Sequence, residues 1–397
     1  MADGTTSYKK FLDRMTRAWI RVEKAFSALT EDKHNPWYYH GAIPVMFFIT
    51  LIISGILIWL YYVPTLRGAY LSVEYFSNPE RHPFGFFIRG LHRYTADAMI
   101  VASLLHMFKV YVTDRHRGYR HIVWLSGIFM LAFVLIIGIS GYLLIWDGRA
   151  LRITELTVGL LQWLDHLPLI GMLGWGNGLA HFFIGGPGVT DFTIARFFFL
   201  HIGLSVAIFF VLWIHFLRIK NPVVYTSFFQ TLFFLGIVVM FAGLIPIKDM
   251  GAAVVGQSPQ TIPIDWFYHL GFYFMNFMSP GAMWLLIAAT LAILFLAPYV
   301  PMFNRRGAVE VIEANCTGCR LCSIDCPYNA IEMIETPQRK RKLLAVINAA
   351  RCAQCGICVG ACPFEAIELP ALHTRLIENQ IDALLAEPTG AETAPAA

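Results

Sequence analysis

Charge is what this chain has least of. Charged residues make up 14% of the 397 positions, against 57% hydrophobic and 15% aromatic, a balance that excludes an ordinary soluble globular protein. Cysteine is missing from the first 315 positions, since all eight lie between Cys316 and Cys362. No cleavable signal is apparent, because the N-terminus is polar and basic before any apolar run begins. Nucleotide-binding motifs and any further catalytic metal cluster are also missing, so a second substrate falls to another chain. Nothing points to nucleic acid.

What is present in quantity is the long apolar run. Six segments read as membrane spans: A near 40–62, B near 86–112, C near 122–145, D near 194–217, E near 226–246 and F near 280–300. E and F carry no charged residue over about twenty positions, enough to cross the hydrocarbon core. Basic residues fall on one side if the spans alternate: Lys9, Lys10, Arg14, Arg17, Arg21 and Lys24 before A, then Arg115, Arg117 and Arg120 between B and C. Arg218 and Lys220 between D and E, and Arg305 and Arg306 after F, fall there too. That side is expected to be the cytoplasm, so the reading is a multi-pass protein of the cytoplasmic membrane with both termini inside. Residues 1–36 read as an amphipathic surface helix, with Phe11, Met15, Trp19, Val22 and Phe26 on one face.

Span B holds His92 and His106, span D holds His201 and His215, and both intervals are fourteen residues. On a helix that is just under four turns, so the two imidazoles share a face about 20 Å apart. A single histidine in an apolar span is usually a hydrogen-bonded structural residue; four at matched spacing are not. Span A adds Gly41 and Gly55 and span C adds Gly127 and Gly141, again fourteen apart. Glycine clears a helix face for something bulky. Four helices thus offer two levels, each with two histidines and two glycines, which describes two b haems with bis-His ligation, His92 with His201 and His106 with His215.

Across roughly residues 36–280 the chain resembles the dihaem cytochrome b of quinol-oxidising bc-type complexes, in the short form of photosynthetic membranes. The resemblance rests on the four histidines and four glycines, on Arg89, Lys109 and Arg196 beside them, on GYLLIWD at 141–147, and on Asn221-Pro222. It implies that Arg89, Lys109 and Arg196 pair with haem propionates, with snorkelling to the interface as the plainer role, and that the chain forms a homodimer. Tyr39 stands where the photosynthetic form attaches a third haem through cysteine, so no covalent haem is expected. Where the family carries Pro-Glu-Trp-Tyr in its outer quinol pocket, this chain reads PIDWFY, with Pro263, Asp265, Trp266 and Tyr268. Asp265 is a candidate acceptor of the quinol proton and Tyr268 a candidate pocket residue, against the alternative of an interfacial aromatic belt. Asp97, an acid within span B, is a candidate proton-path residue or else a polar contact to a neighbouring helix.

The cysteines form the run C-x2-C-x2-C-x3-C-P twice. The spacing assigns Cys316, Cys319, Cys322 and Cys362 to one [4Fe-4S] cluster, and Cys352, Cys355, Cys358 and Cys326 to the other. Zinc ribbons pair two CxxC units instead, and a cytoplasmic location argues against disulfides. This part resembles bacterial two-cluster ferredoxins. QRKRK at 338–342 between the runs reads as a solvated turn or a basic contact surface. The expected fold is therefore an α-helical membrane bundle, with a four-helix dihaem core and two further spans, followed by a small α+β ferredoxin-like domain. Boundaries are placed at 1–36, 37–225, 226–302, 303–372, and 373–397 for a tail with a disordered end. The linker Pro301–Gly307 is short enough to hold the module close to span F.

Two functions fit this inventory. The leading one is an electron-transfer subunit of a quinone-linked oxidoreductase, exchanging electrons between quinone or quinol, two b haems and two clusters. Its partners would be other subunits of a membrane redox complex, such as a Rieske-type or multihaem cytochrome outside or a cytoplasmic dehydrogenase or hydrogenase. The alternative is an anchor and electron conduit with an inert pocket, relaying from a cytoplasmic dehydrogenase or hydrogenase to an extracytoplasmic haem protein.

Overall fold

The computed structural model describes residues 3–30, 34–113, 116–117, 120–217, 219, 223–263, 265–300, 309–326, 328–338, 342–348, 351–352 and 356–369. Arg115, Arg218, Lys220, Asn221-Pro222, Arg305, Arg306, the linker 301–307, Pro327, residues 339–341, Cys355 and the tail 373–397 lie outside the described residues, as do the side chains of Lys9 and Lys10.

Two compact units form. The first comprises Met1–Arg115, Leu125–His215 and Val223–Ala297. It opens with α1 (Asp3–Thr30), α2 (Ala42–Trp59), α3 (Leu66–Phe76), α4 (Pro83–Val112) and α5 (His121–Ile145). There follow α6 (Gly148–Gln162), the short α7 (Pro168–Met172) and α8 (Trp175–Ile184), then α9 (Asp191–Phe216), α10 (Phe228–Leu244), α11 (Leu270–Phe274) and α12 (Pro280–Leu296). Spans A, B, C and D are thus α2, α4, α5 and α9, and E and F are α10 and α12.

Five of these helices are long and apolar enough to cross a membrane: α2, α4, α5, α9 and the run Pro280–Tyr299 that contains α12. The chain is an integral membrane protein. Span E is shorter than expected. With 17 residues, α10 reaches about 25 Å against a hydrocarbon core of about 30 Å. Both ends have a cause: a capping box of Ser227 and Gln230 fixes the start, and Pro246 disfavours helical geometry at Ile245.

Side chains of α2, α4, α5 and α9 interlock in one core, including Ile43, Phe47 and Leu51 of α2, Met99 and Ile100 of α4, Leu143 of α5, and Phe197 and Ile208 of α9. Outward-facing apolar groups such as Phe199, Phe210 and Trp213 remain exposed on α9, as a lipid-facing helix requires. Of the expected stripe on α1, Trp19 is buried while Phe11, Val22 and Phe26 are exposed.

The E–F connection is tied down at both ends. Asp147 caps α6 by accepting from Ala150 N–H and also accepts from Met250 N–H at 3.1 Å, while Gly148 N–H donates to the Gly251 carbonyl, 3.0 Å. At its far end Tyr268 lays its ring over Gly138 of α5, where a Cβ would fall 2.0 Å from a ring carbon, and donates to the Ala96 carbonyl of α4, 2.8 Å.

The second unit comprises His116–Trp124, Phe216–Pro222 and Pro298–Ala397. It holds β1 (Glu310–Val311), α13 (Leu321–Asp325), β2 (Ile331–Glu335), β3 (Leu343–Ile347), α14 (Ile357–Gly360) and β4 (Ile367–Glu368). β1 pairs antiparallel with β4, Glu310 opposite Glu368, and β2 with β3, Ile331 opposite Ile347. Within this unit the Arg120 guanidinium sits over the Tyr328 ring, 4.4 Å from its centroid.

α10 packs against α4 where Gly90 meets Ala242, and a Cβ on Gly90 would come within 2.9 Å of the Ala242 carbonyl oxygen. Backbone cannot step aside as a side chain can. Gly90→Val is expected to cost about 1–3 kcal/mol, read as a lowered unfolding temperature of the detergent-solubilised protein; an unchanged temperature would refute this packing.

Candidate haem and cluster sites

Each predicted level is assembled. The His92 and His201 rings lie 6.4 Å apart between centroids, and those of His106 and His215 lie 6.5 Å apart. Two metal–nitrogen bonds of about 2 Å in line, plus the two half-rings, span about 6 Å. Either gap therefore fits one ion flanked by two imidazoles.

The four glycines meet these rings one by one. A Cβ on Gly55 would stand 3.2 Å from His92 Cε1, on Gly141 3.2 Å from His201 Cε1, on Gly41 3.5 Å from His106 Cε1 and on Gly127 3.5 Å from His215 Cε1. In three cases the residue before the glycine is a serine that bonds the same imidazole. Ser54 Oγ is 3.0 Å from His92 Nδ1, Ser140 Oγ 3.0 Å from His201 Nδ1 and Ser126 Oγ 2.9 Å from His215 Nδ1. The Ile137 carbonyl lies 2.9 Å from His201 Nδ1 as well. Engaging Nδ1 fixes each ring, the way an imidazole that binds metal through its other nitrogen is oriented. At the fourth position the residue is His40, packed between Trp19 and Trp37 with centroids 5.4 and 4.9 Å away. Burial, then the charge of Lys109, pushes the His40 imidazole down to about 3. The repeated Ser-Gly pair was the sequence signal for these serines.

The three basic residues expected at haem carboxylates all have protein partners. Arg89 holds Asp249 in a forked pair at 2.6 and 2.8 Å and also donates to Ser77 Oγ, 3.1 Å. Lys109 pairs with Glu23 of α1 at 2.6 Å and donates to the Trp37 carbonyl. Arg196 donates to the Phe182 carbonyl. Asp249 and Glu23 carry no motif, so neither partner was foreseeable from local pattern.

In the second unit Cys316, Cys322, Cys326, Cys352 and Cys358 are all buried in one small core, with Cys362 partly buried against it. Burial, followed by the neighbouring thiols of Cys319, Cys362 and Cys316, pushes the Cys322 thiol up to about 11, so these sulfurs lie near one another, with Cys319 exposed. Metal binding would reverse the preference, because a coordinated thiol is deprotonated. The two halves echo each other. Ala330 N–H donates to Cys326 Sγ at 3.3 Å and Ala366 N–H to Cys362 Sγ at 3.4 Å, while Arg320 and Gly356 precede α13 and α14 with φ of 69° and 76°.

These features agree with known proteins. The cytochrome b/b6/petB family matches residues 26–223. Cytochrome b6 of Oltmannsiellopsis viridis is 31% identical over 190 residues, covering 47% of this chain and 83% of that protein. For cytochrome b6 of Chlamydomonas reinhardtii the identity is 31% over 214 residues, 51% of this chain and 94% of that protein. The chain belongs to the cytochrome b/b6 family. Its C-terminal part matches the 4Fe-4S dicluster domain over residues 315–366. A solved structure described as a hyperthermophilic respiratory Complex III aligns with 71% of this chain and 82% of its own, at TM-score 0.55 and 24% identity, which shows a shared fold. This cytochrome b/b6 protein is a membrane electron-transfer protein of a type that carries b haems and iron–sulfur clusters.

Asp265 and Tyr268 of the PIDWFY stretch join a buried polar cluster in the first unit, while Trp266 is exposed. Asp265 Oδ2 accepts from Arg93 Nη2 at 2.8 Å and from the Tyr142 hydroxyl at 2.5 Å, and its Oδ1 accepts from the N–H groups of Phe267 and Tyr268 at 2.8 and 3.3 Å. Arg93 also pairs with Asp97. Arg93 and Arg149 lie over the Tyr142 ring, 4.9 and 5.2 Å from its centroid. Burial alone would raise the Asp265 carboxyl, but the Arg93 charge, the Tyr142 hydroxyl and the Phe267 N–H outweigh it and hold it below the ordinary carboxylate value.

A carboxyl depressed in this way adds stability that is complete above its unfolded value near pH 4 and is lost as pH falls through the lower folded value. Asp265→Asn leaves Arg93 with one carboxylate and should cost up to about 3 kcal/mol at pH 7. Denaturant unfolding of the solubilised protein checks this: the gap between variant and wild type should narrow as pH falls below about 4, and a gap independent of pH would refute it.

Proposed function

We propose that this protein is the membrane subunit of a quinone-linked oxidoreductase, passing electrons between quinone or quinol, two b haems and two [4Fe-4S] clusters. His92 with His201 would hold one haem and His106 with His215 the other. Cys316, Cys319, Cys322 and Cys362 would hold one cluster, and Cys352, Cys355, Cys358 and Cys326 its twin. Bound haem supplies reversible one-electron chemistry, and the protein supplies the ligands, the Nδ1 contacts and the glycine clearances that set each ring. The observation that carries the reading is the double histidine level, each imidazole faced by its own glycine so closely that an added Cβ would stand 3.2 to 3.5 Å from the ring. Nothing but a pair of stacked flat cofactors calls for that arrangement twice at one spacing.

Arg89, Lys109 and Arg196 lie beside the histidine levels in sequence and are proposed to meet haem carboxylates by exchanging their present partners. Asp265, Tyr268 and Asp97 are proposed to border an outer quinol pocket. The cysteine module is proposed to face the cytoplasm with both termini. In support, its unit also takes in 116–124 and 216–222, the basic connections that the charge rule places inside. Ferredoxin-type clusters commonly sit at about −400 mV or lower, so delivery of electrons from the clusters to quinone is the easier direction. A cytoplasmic donor subunit would feed the clusters, and a homodimer within a larger redox complex is the proposed assembly.

Purified protein should show two b-type haems in an optical redox titration and about eight cluster irons. His201→Ala should remove one haem signal while leaving both cluster signals in electron paramagnetic resonance, and Cys322→Ser the converse. Adding menadione to protein with reduced clusters should oxidise them. Oxidation that never depends on quinone would overturn the quinone assignment in favour of a conduit between protein partners.

A further inference from the structure

We propose that His269 is the proton acceptor for the para-quinol hydroxyl in this pocket, an inference that rests on the quinone reading above. His269 is 1% exposed; the Pro263 carbonyl lies within reach of its ring, and no other hydrogen-bond partner meets the ring nitrogens. Its ring packs on that of Tyr142, centroids 4.1 Å apart, with Phe272 on another side at 6.4 Å. The backbone holds it there, since His269 N–H donates to the Asp265 carbonyl, 2.9 Å, and the His269 carbonyl accepts from Tyr273 N–H.

Chemistry singles it out from its neighbours. Both Asp265 oxygens are occupied by Arg93, Tyr142 and two N–H groups, so that carboxylate has little left with which to receive a proton. Asp97 is paired with Arg93. Tyr142 and Tyr268 spend their hydroxyl hydrogens on Asp265 and the Ala96 carbonyl. A neutral imidazole carries one donor and one acceptor; at His269 the donor can meet the Pro263 carbonyl, while the acceptor nitrogen has no partner. A buried polar group of this kind calls for a partner, and a quinol offers a hydroxyl to donate and an oxygen to accept.

The step is an acid–base transfer. The quinol O–H bond breaks, an N–H bond forms on the imidazole, the quinol remains as its anion, and no electron moves. The imidazolium so formed stands beside the Asp265 carboxylate, which favours it. The groups facing His269 are Asp265 on its own loop, Arg93 and Asp97 on α4, Tyr142 on α5 and Arg149 on α6. Burial, with the Arg149 and Arg93 charges, lowers the imidazole below its ordinary value while Asp265 opposes that, so the ring is neutral at pH 7.

The test uses the full haem-loaded protein and menadiol. His269→Gln keeps a hydrogen-bonding amide but takes no proton. It should slow menadiol-dependent haem reduction at least tenfold at pH 7, shift menadione affinity, read by tryptophan quenching, less than threefold, and abolish the loss of rate that wild type shows toward low pH. An unchanged rate and pH profile in a variant with a normal dithionite-reduced spectrum overturns the inference. If the Gln variant fails to assemble, His269→Asn takes its place. If both fail, infrared difference spectra of ¹⁵N-histidine-labelled wild type decide, because an imidazolium band on menadiol addition supports the inference and its absence overturns it. Wild type unresponsive to both menadiol and menadione would instead defeat the quinone reading itself.

Discussion

Close approach of an imidazole to bare helix backbone is the constraint on which the membrane unit turns. Gly41, Gly55, Gly127 and Gly141 each leave only 3.2 to 3.5 Å between a notional Cβ and the facing histidine ring. A branched side chain there would push the ring off its line with its partner 6.4 or 6.5 Å away. α2 must therefore ride close on α4, and α5 on α9, at two heights each. The flanking serines extend the same economy: one residue position clears space and the next engages Nδ1. Spacing within a single helix thereby fixes contacts among four.

That is also why so much of this arrangement can be read from the chain. Helical periodicity is a local property, and fourteen residues is close enough to four turns that equal spacing in two helices means equal heights. His92 and His201 are 109 positions apart, yet their meeting needs only that α4 and α9 stand side by side. The cysteine runs are legible for a related reason, since ligands three apart on a tight loop have few arrangements. Cys362 of the second run lies close enough to Cys322 of the first to act on its thiol, as the proposed cross-over requires.

Contacts that depend on how loops return were not legible. Arg89 and Arg196 stand near the histidine levels as the family pattern has them, but nothing local said that Asp249 would reach Arg89 across 160 residues, or that Phe182 would offer its carbonyl to Arg196. Lys109 meets Glu23 because α1 folds back, and α1 docks by the buried Trp19 while much of its apolar stripe stays exposed. Span E lost a turn to Pro246 at one end and a capping box at the other, a boundary effect that hydropathy averages away.

The buried polar cluster around Arg93 shows how an expensive group is made tolerable. Arg93 follows a predicted haem ligand directly and is three-quarters buried or more at its side chain, as are Asp97 and Asp265. A lone charge at that depth would be costly, but Arg93 lies between two carboxylates, and Arg149 over Tyr142 supplies the second positive charge. Two cations against two anions leave the cluster neutral only while His269 is neutral. The Arg93–Asp265 bridge that joins α4 to the E–F connection sets the field in which that imidazole sits. Structural tether and electrostatic frame are the same contacts here, so the loop cannot shift without altering the basicity of the group it carries.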